Sequence, residues 1–156
     1  HVVVATTVGD TGVAMARKLH GKGVNLVVVT HSAGYKEPNH IELLPENKEE
    51  ILKYGGKIYT TTILTHSIET AFTQKFNGLY PTMIVAQSLR RFGEGAKVCC
   101  EIVMEACDGG LIPELEEVVA VAGTGRGADT VCIIKSAASK RFLDLKVLEI
   151  LAKPRF

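Results

Sequence analysis

The sequence predicts an α/β fold, a three-layer α/β/α sandwich around a mixed, mostly parallel sheet whose last strand is antiparallel. Three observations carry that reading. Short apolar β-runs alternate with helical patterns, and residues 118–122 form an unbroken apolar run of the kind buried on both faces of a sheet. Only about seven residues then separate that run from the next strand. A parallel crossover needs a dozen or more, so the final pair is expected to be antiparallel.

In chain order, Val2, Val3, Val4 and Ala5 make a first strand, followed by the polar loop Thr6-Thr7-Val8-Gly9-Asp10-Thr11-Gly12. A helix follows in which Val13, Ala16 and Leu19 recur on one face; the plain alternative to a ligand-binding loop makes Asp10 or Thr11 its N-cap. Gly21-Lys22-Gly23 ends it, and residues 25–30 form a second buried strand that completes a right-handed βαβ unit. Residues 36–45 read as a long connection able to flap over a site, residues 46–54 as a short charged helix, and residues 57–62 as a β-branched third strand. The segment 65–79 is expected to be helical, ending near Asn77-Gly78.

Pro81 suits the first position of a helix running to Phe92, with Ile84, Val85, Leu89 and Phe92 on the expected buried stripe. A second helix covers residues 94–108. Its Val98, Ile102 and Ala106 share one face, and Lys97, Glu101 and Glu105 line the neighbouring one. That charged row reads as a solvated helix face; the alternative is a pair of carboxylates for metal or acid–base work. Gly109-Gly110 stops the helix, Glu117 leads into the run at 118–122, and residues 131–134 form another strand. The tail from Ser136 onward packs along a sheet edge as strand or helix.

Composition bounds the function. At 156 residues and 46% hydrophobic, the chain makes one domain, 1–156, with a core that needs no disulfide or metal staple. A net charge of +1 without a dense basic run interleaved with aromatics argues against nucleic acid as a partner. No apolar stretch approaches the roughly 20 residues that span a bilayer, which argues against a membrane partner. Cys99, Cys100, Cys107 and Cys132 fall in apolar patterns without metal-ligand spacing, as expected of a reducing, cytoplasmic setting. No metal site is expected. The chain opens on His1 directly before a strand, so an upstream segment is expected to be missing. Assembly into a homo-oligomer stays open.

Two loops carry the functional signal. In open α/β sheets, ligands bind beyond the carboxyl ends of the strands. The first loop sets the Thr6, Thr7 and Thr11 hydroxyls and backbone N–H groups at a helix N-terminus, where the macrodipole favours an anion such as phosphate. The second, Gly123-Thr124-Gly125-Arg126-Gly127-Ala128-Asp129-Thr130, combines three glycines, a fixed positive charge and the polar groups of Thr124, Asp129 and Thr130. Its plain alternative is a Gly-rich hairpin. His31 sits where site residues gather, and with Gly34 and the glycine loop it is expected to border the bulky end of a ligand. A Walker A motif is absent. The glycine pattern also fails the dinucleotide fingerprint in spacing and context, since it opens a strand instead of a helix.

The first loop with its flanking strands resembles the opening of the pyruvate kinase carboxyl-terminal domain. Leu89-Arg90, Gly95, Lys97-Val98, Gly110-Leu111-Ile112-Pro113 and Ala122 to Thr130 resemble a family of stand-alone relatives of that domain, and the likeness covers essentially the whole chain. The resemblance implies a phosphate role for Thr6, Thr7, Gly9 and Thr11. It also implies flavin mononucleotide (FMN) as cofactor, a last strand running against the others, an upstream segment, and no pyruvate kinase activity, because the catalytic barrel is lacking. Two functions follow as expectations: a flavoprotein binding a phosphorylated small molecule, most plausibly FMN, or a non-catalytic module sensing a sugar phosphate or nucleotide.

Overall fold

The computed structural model describes residues 1–155. Its centre is a six-stranded sheet of β1 (Val2–Ala5), β2 (Leu26–Thr30), β3 (Lys57–Thr60), β4 (Glu117–Ala122), β5 (Thr130–Lys135) and β6 (Lys146–Ala152), in the order β3-β2-β1-β4-β5-β6. The first four strands are mutually parallel, β5 runs antiparallel to β4, and β6 runs antiparallel to β5. The strand opposed to the rest is therefore β5, and the tail adds an edge strand after a 3-10 turn at Ser139–Asp144.

Side chains alternate across the pleat, so each strand feeds two cores. Val3, Val27, Val29, Val118, Ala120 and Ala122 face α5 (Glu94–Asp108), which inserts Cys99, Val103 and Ala106 among them. On the opposite face Val4, Leu26, Val28 and Val121 meet Val13 and Ala16 of α1 (Asp10–Leu19) and Ile51 of α2 (Pro45–Lys53). These two cores make the molecule a three-layer sandwich.

The start of α1 is set by glycines. Gly9 is the N-cap residue at φ +107°, so the alternative in which Asp10 or Thr11 caps the helix does not hold, and no side chain caps it. A Cβ on Gly9 would also lie 2.5 Å from Cβ of Asn47. Gly12 lets the first turn sit against Val28 and Ile51, whose methyls would stand 2.8 Å from an added Cβ.

Two sequence expectations need correction. The stripe assigned to α4 (Pro81–Leu89) is not buried: Ile84 is exposed, Phe92 lies in a following 3-10 turn and is also exposed, and only Ala86 is enclosed. The neighbouring α3 (Ile68–Phe76) has no buried residue. The charged row on α5 is the reverse case. Lys97, Glu101 and Glu105 are 2%, 3% and 3% exposed, so they form no solvated face. Cys99, Cys100, Val103 and Met104 already make this helix apolar around most of its circumference, which left the charges no face outside the protein.

Candidate functional site

The strand order reverses at β1, whose neighbours are β2 on one side and β4 on the other. The connection from β1 runs through α1 on one face of the sheet, and α5 leads into β4 on the other. A crevice opens where the two diverge, at the carboxyl ends of the strands. It holds a cleft of about 340 Å³, within the roughly 300–1,000 Å³ of small-molecule sites.

At the rim, the loop after β1 meets the β4–β5 hairpin. Thr6 is buried and its hydroxyl accepts the Gly12 N–H at 3.4 Å, which ties the loop to the helix start. Thr7 and Thr11 line the cleft. Asp10 accepts the Thr11 N–H at 3.0 Å and two guanidinium bonds from Arg126, at 3.1 and 3.0 Å, so an ion pair spans the crevice. Desolvation draws the Asp10 carboxyl upward, but those bonds outweigh it and hold the group below the usual carboxylate range.

The glycine loop is both of the things its sequence allowed. It is a hairpin turn, and Gly123, Gly125, Arg126 and Gly127 also line the cleft. Gly125 and Gly127 adopt φ of +79° and +85°, conformations other residues rarely take. Asp129 fastens the turn from within, accepting the Thr124 N–H at 2.9 Å and the Thr130 hydroxyl at 2.6 Å. Thr124, Asp129 and the buried Thr130 thus shape the loop without lining the cleft. Gly9 and Gly34 also lie outside the lining.

His31 stands at the end of β2 with its Nδ1 2.7 Å from the carboxylate of Glu42, which lies in the connection before α2. Lys36 reaches the other oxygen of Glu42 at 2.5 Å. Burial alone would raise the Glu42 carboxyl, but its bonds to Lys36 and His31 prevail and hold it low. An anionic partner at Nδ1 fixes the ring orientation and leaves Nε2 as the second functional nitrogen. Tyr35 packs on this imidazole with ring centroids 4.4 Å apart and meets His66 edge-on at 6.5 Å. The connection expected to flap is pinned at Glu42.

The floor is built by α5 and the segment after β3. Lys97 and Glu101 form an ion pair one turn apart. Glu101 also accepts the Thr65 N–H at 3.0 Å and the Thr65 hydroxyl at 2.5 Å. Glu105 accepts only the Leu64 N–H, at 3.3 Å. Burial, reinforced by the charge of Glu101, pushes its carboxyl up to about 8. Burial also holds the His66 imidazole below its ordinary range, with the Lys97 charge acting in the same direction. Nearer the opening, Arg90 pairs with Glu94 at 2.5 Å.

No protein-family model matches the chain. Of the residues singled out from sequence, Thr6, Thr7, Thr11, His31, Gly123, Gly125, Arg126 and Gly127 come together around one cleft. Sequence reasoning missed Glu42, Tyr35 and His66, and it took Lys97, Glu101 and Glu105 for a solvated face, with a functional carboxylate pair only as the alternative. The available signal was the near-absence of a polar face on α5. Among the described residues, no group of three or more His, Cys, Asp or Glu side chains is placed to hold a metal ion. Among the same residues, no helix is long and apolar enough to cross a membrane. Burial pushes the Cys100 thiol up to about 12 and the Cys107 thiol up to about 11, so neither is an activated nucleophile at neutral pH.

Proposed function

We propose that this protein binds a phosphorylated small molecule in the crevice between β1 and β4, with FMN the first candidate. The observation that carries the reading is the meeting of three anion-attracting features at one rim: the amino end of α1, the threonine loop and Arg126 of the hairpin. Among the described residues, the N–H group of Thr7, which lines the cleft, has no protein acceptor, which leaves a donor for a phosphate oxygen. Ala5, Val29, Ile63, Val98 and Ile102 add apolar lining suited to the body of a flat ring. When bound, FMN supplies the redox chemistry; the chain's own residues hold the phosphate, orient the ring and limit water. The phosphate role implied by the resemblance of the first loop to the opening of the pyruvate kinase carboxyl-terminal domain points the same way. The four free cysteines suit a reducing, cytoplasmic setting.

A second reading, a non-catalytic sensor of a sugar phosphate or nucleotide, draws support from the paired charges and hydroxyls that border the cleft. A visible absorption spectrum of the purified protein, followed by calorimetric titration with FMN and with fructose bisphosphate, separates the two. The flavin reading expects flavin absorbance or FMN binding. Fructose bisphosphate binding with no flavin affinity overturns it in favour of the sensor.

A further inference from the structure

Glu105 is the most enclosed polar group of the cleft whose bonding is incomplete. It is 3% exposed, yet its one hydrogen bond is the 3.3 Å contact from Leu64 N–H to Oε1. Among the described residues, the only fully enclosed side-chain polar atom lacking a partner is the Thr73 hydroxyl, so Oε2 of Glu105 is not sealed off. It opens on the cleft that Glu105 helps to line. Buried carboxyl oxygens are nearly always bonded, which makes this oxygen a place where a ligand is received.

The surroundings define what kind of ligand group that is. On α5, Lys97 is already committed to Glu101, and Glu101 is bonded at both oxygens, by Lys97 and by Thr65. Asp108 lies further along the same helix, and His66 is the titratable group of the segment that covers it. A second phosphate at this end would meet no unpaired cation, because Lys97 is held by Glu101. An uncharged group needs none. At neutral pH the buried carboxyl keeps its proton, so it offers an O–H donor at one oxygen and an acceptor at the other. The complement of that pair is an N–H beside a C=O, the edge of a lactam, imide or amide.

We propose that Glu105 receives the uncharged far end of the ligand through a cyclic two-point hydrogen bond to such an amide-type ring edge. The inference rests on the phosphate-binding reading above and narrows it to a monophosphate with a heterocyclic body, excluding a bisphosphate. A flavin or a pyrimidine base carries the required edge; a sugar phosphate does not.

The test is a calorimetric cycle between the ligand edge and the side chain, using FMN and FMN methylated at its ring imide nitrogen. Wild type is expected to bind the methylated form about tenfold to a hundredfold more weakly, the usual effect of leaving a buried partner unsatisfied. Glu105→Leu should weaken FMN to a similar degree and abolish the difference between the two ligands. Glu105→Gln, whose amide presents the same donor and acceptor, should keep both the affinity and the difference; thermal melts establish that each variant is folded. Equal binding of the two flavins by wild type, or an undiminished difference in Glu105→Leu, overturns the inference. Binding of fructose bisphosphate without FMN overturns it too, while leaving the phosphate reading standing. If neither ligand binds, both fail.

Discussion

The rim and the floor of the cleft carry the same kinds of side chain in opposite settings. At the rim, Arg126 and Asp10 pair with their side chains 78% and 44% exposed. At the floor, Lys97 and Glu101 pair at 3% and 4%. An exposed pair is screened by water and holds its partners weakly, so a ligand can take one of them over. A buried pair has no such freedom, because removing one member strands a charge in a poor dielectric. The rim is therefore built for exchange of partners and the floor for fixed shape and polarity.

The largest effect should come from breaking the floor. Lys97→Met leaves Glu101 buried without its cation and is expected to cost about 3–5 kcal/mol in urea unfolding, most of it recovered in Lys97→Met/Glu101→Gln, which removes the stranded charge and keeps an acceptor for Thr65. A loss under about 1 kcal/mol would mean that the pair is effectively solvated. Gly9→Ala comes next, at about 1–3 kcal/mol, because a side chain at φ +107° must also displace Asn47 and Leu43. This is a packing role, so a bulky residue at Gly9 probes folding before it probes phosphate.

The floor also gives a pH signature. Glu105 is raised from its ordinary value near 4.5 to about 8, so the folded protein holds this proton more tightly than the unfolded chain. Stability from this group is fully present below the lower value and is lost as pH rises through the upper one. His66 acts oppositely: its lowered pKa gives stability present above about 6.5 and lost as pH falls. The comparison of wild type with Glu105→Gln isolates the first term. Between about pH 5 and pH 8, the wild-type melting temperature should fall relative to the variant's. Parallel profiles would contradict the assignment.

The smallest stability effect belongs to the rim. Arg126→Ala should change unfolding free energy by less than about 1 kcal/mol, and less still in high salt. Asp10→Asn sharpens the contrast: it frees the guanidinium and removes a like charge from the helix terminus, so FMN should bind about two- to fivefold more tightly. Weaker binding would mean that Asp10 itself contacts the ligand.

The same contrast explains what could be read from sequence. The rim was legible because its chemistry is local: the loop from Thr6 to Gly12 adjoins its own helix, and the hairpin from Gly123 to Thr130 is defined by its glycines. The sheet class followed from the same short-range rules, including the antiparallel pair forced by the short link between β4 and β5. The floor was not legible. Helical spacing placed Lys97, Glu101 and Glu105 in one row, but whether that row meets water depends on residues 63–66 folding over it from the end of β3. The Glu42 partner of His31 was hidden for a similar reason, since a connection without regular structure gives no periodicity from which to aim a side chain. Helix α4 failed in the other direction: an apolar stripe was visible, but little of the protein lies against it.

The central claim is that phosphate is held at the rim, and the most direct measurement compares FMN with riboflavin, which lacks the phosphate. Calorimetric titration of wild type should give at least about a tenfold preference for FMN. In Thr7→Val/Arg126→Ala, that preference should fall severalfold, the backbone N–H groups holding the remainder, while riboflavin binding stays unchanged. Equal affinity of wild type for the two flavins, or a preference undiminished by both substitutions, would contradict the account.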